Sequence, residues 1–288
     1  MWSIRKMRRC IVPFRTGDKI VASFMLSMIP VYYYFIFFLV LPDIYLLGST
    51  SYWLNLVAGH FIAFNIIGNY ICMIICDTST RAYLGDQDQT EKVEILMEDS
   101  SQSCKLCGAD YNQPSHSWHC VSCNTCILKR DHHCMFIGYC IGEYNRRFFV
   151  IFLLYMFLGT TYYFYCTTIF MKRRMELFIP ELVAQLFCPP LILFLHPDSA
   201  VNTVYLVLYI VMIVGSIMVS LLSIFNIYLI TRGLIGIEAK IGRRDRLQGN
   251  SSIDNVKEVL GQRWYLTWIC PLITSDLPPQ KTSSTRLS

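Results

Sequence analysis

Between residues 104 and 140 the sequence concentrates side chains that bind metals or attack carbonyl carbons. It runs Cys104-x2-Cys107, His119-Cys120-x2-Cys123-x2-Cys126, Asp131-His132-His133-Cys134 and finally Cys140. Cys104, Cys107, Cys120, Cys123, Cys126 and Cys140, with His119 and His133, make eight ligands, enough for two closed tetrahedral zinc sites. So short a segment cannot bury enough apolar surface to order itself, so metal is the expected staple. Closed sites leave no position for a water, which makes the zinc structural. Spacing fixes the eight as a set but not their division between two ions. Cys134 is then left over, beside His132 and Asp131. A thiol next to an imidazole and a carboxylate, held by metals it does not ligate, has a nucleophile's setting. His132 can act as its base with Asp131 orienting the ring. The other reading of His132 is a hydrogen bond to a zinc thiolate.

This pattern resembles the cysteine-rich domain of the DHHC protein S-acyltransferases, or palmitoyltransferases, named for the tetrapeptide Asp131-His132-His133-Cys134. It is most similar to the branch in which Met135-Phe136, rather than Pro-Trp, follows the tetrapeptide. The resemblance extends through Asn145 and Phe148-Phe149, with weaker echoes in the apolar runs and at residues 255–261. It implies that Cys104, Cys107, His119 and Cys126 hold one zinc, and that Cys120, Cys123, His133 and Cys140 hold the other. It also implies a two-step reaction in which Cys134 takes a long-chain acyl group from acyl-CoA and passes it to a cysteine of a target protein, with His132 as base. Lys129, Arg130, Arg146 and Arg147, with Arg243 and Arg244, are candidates for the coenzyme A phosphates; solvated charge that sets membrane orientation explains them equally well. The partners implied are membrane lipid, palmitoyl-CoA and cysteine-containing membrane or membrane-associated proteins, in the endoplasmic reticulum or Golgi.

The sequence also departs from the family pattern. Tyr139 stands where Asn is common, His116 where Arg is usual, and two extra residues lie between Cys107 and His119. The family's Thr-Thr-x-Glu is reduced to Ile235-Gly236-Ile237-Glu238. These changes keep open a second reading, a weakly active relative that serves as a membrane adaptor or trafficking scaffold. A zinc-binding ubiquitin ligase would leave Cys134 unexplained, and tight apolar flanks exclude a nucleic-acid zinc module.

The elements that must position this segment are membrane helices. The chain of 288 residues is 54 % apolar and 14 % aromatic, too apolar for an ordinary soluble domain. Seven of its 13 cysteines cluster between residues 104 and 140, most at zinc spacings, which points to a reducing compartment and not to disulfides. Apolar runs predict spans at about residues 20–41, 52–76, 148–171 and 201–230, with Pro30 tolerated inside the first. No cleavable signal peptide is expected, because the first run is too long for a signal core. With four spans, 22 of the 25 Lys and Arg fall on one side and three on the other. That asymmetry predicts both termini and the zinc segment in the cytosol. Residues 177–195 are therefore read as re-entrant or interfacial rather than as a fifth span.

The expected fold is thus an α-helical integral membrane protein with four transmembrane helices and a small cytosolic two-zinc domain between the second and third. Its segments are a basic N-terminus (1–19), the first two helices (20–76), an acidic linker (77–103), the zinc domain (104–147), the last two helices with a lumenal loop at 172–200 (148–230) and a C-terminal tail (231–288). Cys10 is a juxtamembrane thiol open to acylation. His60 and Asn65 are expected to face protein rather than lipid. Gly215, Ser216, Ser220 and Ser223 suggest a small-residue face for close helix contact. Trp264 and Trp268, with Leu266 and Ile269, suggest an interfacial segment.

Overall fold

The computed structural model describes residues 8, 12–13, 15–84, 102–104, 107, 112–113, 116–174, 200–242 and 251–278. Expectations for Cys10, for the acidic run 85–101, for 175–199 and for Arg243 and Arg244 lie outside the described residues. Among the described residues, four helical stretches are long and apolar enough to cross a membrane: Thr16–Ile44, Thr50–Ile75, Arg146–Arg174 and Val201–Thr231. At 1.5 Å per residue they measure about 39–47 Å, against a hydrocarbon core of about 30 Å. The first and third stretches extend beyond the spans read from hydropathy at both ends, and the second and fourth match theirs to within two residues.

The first stretch is α1 (Thr16–Tyr34), a wider π-helical turn (Phe35–Val40) and α2 (Leu41–Ile44). Pro30 sits inside α1 without ending it. The others are α3 (Thr50–Ile75), α5 (Arg146–Arg174) and α6 (Ala200–Thr231). A short α4 (Thr80–Leu84) follows α3, and α7 (Gly236–Ile241) and α8 (Ser252–Leu260) follow α6. Three two-stranded antiparallel hairpins lie between α4 and α5. They are β1 (Gln102–Ser103) with β2 (Asn112–Gln113), β3 (Ser117–Cys120) with β4 (Thr125–Leu128), and β5 (His132–Cys134) with β6 (Tyr139–Ile141).

The chain divides into two packed units. One comprises Leu26–Ile66 and Leu153–Ser223. Its core joins Phe35, Phe37, Val40 and Leu41 to Cys166, Phe170, Leu206 and Met212. Hydrogen bonds join its helices: Tyr32 Oη donates to the Leu208 carbonyl at 2.8 Å, and Tyr45 and Tyr162 share a 3.0 Å hydrogen bond. Asn65 is fully buried, as expected, with Nδ2 donating to the Phe61 carbonyl. His60 is exposed, yet both ring nitrogens are engaged, by Tyr33 Oη at 2.8 Å and by the Leu56 carbonyl at 2.7 Å. The small-residue face proves to be a contact only at Ser223, whose hydroxyl donates to the Leu153 carbonyl at 3.4 Å. A Cβ at Gly215 would meet nothing within 4 Å, and Ser216 and Ser220 bond back to carbonyls of their own helix.

The other unit comprises Met1–Met25, Ile67–Phe152 and Ile224–Ser288. Strand β4 is stitched to the segment after α3, with Leu128 N donating to Thr78 O at 3.2 Å and Thr80 Oγ1 to Cys126 O at 3.4 Å. Asn145, fully buried, ties the last zinc ligand to α3: Nδ2 donates to Cys140 O at 3.0 Å and reaches Met73 O at 3.4 Å, while Oδ1 accepts from Gly142 N at 2.8 Å. Ser251 and Asp254 close a capping box at the start of α8, which aims Asn255 Nδ2 at Thr231 O, 3.1 Å away. Trp264, Leu266 and Trp268 are half-buried and Ile269 is exposed, beside exposed Tyr265 and Leu272.

Candidate metal and thiol site

The zinc ligands are assembled by hairpin register. His119 lies opposite Cys126 in β3–β4, and His133 lies opposite Cys140 in β5–β6. Each hairpin thus offers one imidazole and one thiol to a common point, and a Cys-x2-Cys turn completes each set. Cys104, Cys107, His119 and Cys126 form one cluster; Cys120, Cys123, His133 and Cys140 form the other, each with all ligand atoms within 4.8 Å. In the first, His119 Nδ1 is 3.6, 3.3 and 3.9 Å from the Sγ atoms of Cys104, Cys107 and Cys126. In the second, His133 Nδ1 is 3.6, 3.4 and 3.7 Å from those of Cys120, Cys123 and Cys140. Sulfur pairs stand at 3.6 Å (Cys107–Cys126) and 3.7 Å (Cys123–Cys140). A tetrahedral zinc with ordinary bond lengths needs ligand atoms about 3.5 Å apart for sulfur and nitrogen and about 3.8 Å for two sulfurs. Both clusters therefore fit a structural zinc ion, and the division between them is the one implied by the resemblance.

Strand alternation separates the metal from the thiol. Successive side chains of a β-strand point to opposite faces, so His133 turns to the zinc cluster while His132 and Cys134 share the other face of β5. The ring of His132 is oriented by Asp131, whose Oδ2 accepts from Nδ1 at 2.8 Å. The other nitrogen is left for Cys134, with which His132 is hydrogen-bonded. Phe149 meets the ring edge-on with centroids 5.0 Å apart. Asp131 is itself buried; its Oδ1 accepts from Gly236 N at 2.6 Å and lies 3.7 Å from Arg146 Nη2. Burial alone would raise the Asp131 pKa, but Arg146 and the His132 hydrogen bond outweigh it and hold the carboxylate at about 2. Burial likewise opposes charge on His132, but hydrogen bonds to Asp131 and Cys134 raise it to about 9.

Three residues to which the sequence reading assigned no role at this site support the two faces of β5. Tyr70, buried in α3, donates its hydroxyl to the Phe136 carbonyl at 2.8 Å and so fixes the turn after Cys134. Gly236 approaches Asp131 so closely that a Cβ there would stand 2.8 Å from the Asp131 carbonyl oxygen. The reduced motif at 235–238 is thus a backbone contact that a side chain would obstruct. Asp18 Oδ2 accepts from His133 Nε2 at 3.1 Å. The departure at 116 meets the one acid that the reduced motif keeps: His116 Nδ1 is 3.2 Å from the buried Glu238 Oε1.

The cations considered for phosphate binding differ in exposure. Arg146 and Arg147 are each 7 % exposed. Arg146 donates to Leu234 O at 2.7 Å, and Arg147 donates to Ser275 O at 3.3 Å and lies over the Phe148 ring. Both are buried against protein partners, and Arg146 also lines a small pocket with Lys129 and Glu143. Lys129 and Arg130 keep partial exposure, although Lys129 pairs with Glu143 at 2.7 Å and Arg130 donates to His119 O at 2.8 Å.

Comparison with known proteins agrees with this geometry. Residues 97–241 match the family described as DHHC palmitoyltransferase. The chain is similar to probable palmitoyltransferase ZDHHC24 of Mus musculus, 26 % identical over 242 residues that cover 81 % of this chain and 78 % of that protein. It is also similar to probable protein S-acyltransferase 14 of Arabidopsis thaliana, 32 % identical over 123 residues covering 37 % of this chain and 39 % of that one. Palmitoyltransferase ZDHHC7 of Mus musculus is 27 % identical over 158 residues, 51 % of this chain and 47 % of that one. The chain thus spans less than half the length of the last two.

Proposed function

Because this chain belongs to the DHHC palmitoyltransferase family, we propose that it is a multi-pass membrane protein S-acyltransferase whose nucleophile is Cys134. The observation that carries this reading is the Asp131–His132–Cys134 relay, built beside two complete zinc clusters that use none of its three residues. In the first half-reaction the Cys134 thiol gives its proton to His132 and its sulfur bonds to the thioester carbonyl carbon of a long-chain acyl-CoA. The carbon–sulfur bond to coenzyme A then breaks, and the departing sulfur takes the proton from His132. In the second half-reaction a target cysteine loses its proton to His132 and attacks the acyl-Cys134 thioester. The acyl group moves to the target, and the Cys134 sulfur recovers the proton. Asp131 holds the His132 tautomer and stabilises the imidazolium in both steps. The acyl chain is assigned to the apolar spans next to the zinc domain in sequence, and Lys129 and Arg130 are the more exposed candidates for coenzyme A phosphates. The charge asymmetry supports cytosolic termini and a cytosolic thiol, in the endoplasmic reticulum or Golgi, with cysteine-bearing membrane proteins as acceptors.

The test is release of coenzyme A from palmitoyl-CoA by the purified full-length chain, measured against pH. With His132 held at about 9, the imidazolium formed by taking the Cys134 proton persists through neutrality, and the rate should fall on the alkaline side as that proton is lost near pH 9. Asp131→Asn removes the main group holding the proton, so His132 moves down toward the ordinary value of about 6.5. The alkaline limb should then shift to lower pH by a unit or more. A limb that stays in place would remove Asp131 from this role.

Gly236→Ala probes the same carboxylate from its other side. The added methyl would stand 2.8 Å from the Asp131 carbonyl oxygen and 3.3 Å from its carboxyl carbon, so α7 must shift and lengthen the 2.6 Å hydrogen bond. A hydrogen bond to a charged group contributes about 1.5–3 kcal/mol, which predicts at least about a tenfold slower single-turnover acylation. Zinc content should not change, and a wild-type rate would show that the close approach is incidental.

A further inference from the structure

We propose that Asp18, on the first turn of α1, is the outer carboxylate of the second zinc site, and that the N-terminal segment is thereby a working part of the cysteine-rich domain. The inference rests on the two-zinc assignment and is independent of acyl transfer. His133 presents Nδ1 to the sulfurs of Cys120, Cys123 and Cys140 at 3.4–3.7 Å, and its opposite nitrogen meets Asp18 Oδ2 at 3.1 Å. A metal-bound imidazole whose other N–H donates to a carboxylate has its tautomer and ring plane fixed and is a stronger ligand for it.

An acidic residue in a first helical turn is often explained by the helix dipole alone. Asp18 differs in being only 5 % exposed and in aiming its carboxylate at a specific donor 115 residues away in sequence. A buried carboxylate needs a partner, and His133 supplies it.

The rest of the segment docks around the same hairpin. Pro13 occupies the space that a Cβ at Gly138 would need, and Gly138 has φ +72° in the turn after Cys134. Arg15 Nη1 donates to Ser122 Oγ at 3.0 Å, inside the Cys120-x2-Cys123 turn of the same zinc site. Arg8 donates to the carbonyls of Ile74, Ile75 and Cys76 at the end of α3, and its guanidinium lies 3.6 Å over the Tyr139 ring, one residue before the ligand Cys140. The segment therefore reaches the Cys120-x2-Cys123 turn, His133 and the neighbour of Cys140. Among the described residues, no carboxylate is hydrogen-bonded to the His119 ring of the first site.

The experiment uses purified full-length protein loaded with two zinc ions. Zinc release to the chromogenic chelator 4-(2-pyridylazo)resorcinol is followed over time, and cysteines freed during release are identified by alkylation and mass spectrometry. Loss of an outer partner typically weakens metal binding 10–100-fold. Asp18→Ala should therefore release one of its two zinc ions about 10–100-fold faster than wild type. Cys120, Cys123 and Cys140 should be alkylated in that phase, while Cys104, Cys107 and Cys126 stay protected. Asp18→Asn, which keeps an acceptor oxygen but not the charge, should show a smaller acceleration at the same three cysteines. It also carries the test should the alanine variant fail to purify. Unchanged release, equal acceleration at both sites, or early alkylation of Cys104, Cys107 and Cys126 would each overturn the proposal.

Discussion

Purified His133→Ala is expected to carry about one zinc ion per chain where the wild type carries two. His133 stands opposite Cys140 in the β5–β6 register and faces three cysteine sulfurs through one nitrogen. Without it the second site has three thiols and no fourth ligand. The strands β5 and β6 have three residues each, too few to hold a hairpin together by pairing alone. A structural zinc contributes on the order of 10–16 kcal/mol of apparent binding energy, comparable to the whole stability of a small domain. Losing it should open the chain between α3 and α5 to protease and abolish acylation, because Cys134 sits on the same strand. Two zinc ions and wild-type protease resistance would show that His133 is not a ligand.

Cys134→Ala, one residue away, should do the reverse. The thiol is buried but outside both clusters, so its loss should cost on the order of 1 kcal/mol, as for ordinary small substitutions. The protein should keep two zinc ions and resist protease like wild type, yet form no acyl-enzyme. Elemental analysis and limited proteolysis read both variants together. If Cys134→Ala loses zinc while His133→Ala keeps two ions, the roles of the neighbours are exchanged and the proposed chemistry fails.

Legibility in the sequence followed the range of the interactions. The eight ligands and the relay lie within 37 residues, and their spacing reflects local turn and strand geometry, so they could be read directly. Their division between two ions depends on which residues oppose each other across a hairpin; spacing alone does not contain it, and only the resemblance had suggested it. The four spans were plain because apolar length is a local property. By contrast, Asp18 meets His133 and Tyr70 meets Phe136 across long sequence separations, and nothing near either residue announces the contact. Arg8 looked like orienting charge but caps α3. Arg146 and Arg147 looked like phosphate ligands because sequence records charge and not burial. Gly236 looked like motif decay, whereas its missing side chain is what admits the backbone to Asp131.

The central claim is that Cys134 carries the acyl group. Its most direct test is to incubate the purified wild-type protein with labelled palmitoyl-CoA, treat the product with neutral hydroxylamine, and repeat with Cys134→Ser. Label on the wild type that hydroxylamine removes, absent from Cys134→Ser, is the predicted result. Label of equal amount on Cys134→Ser, or none on a wild-type protein holding two zinc ions, would contradict it.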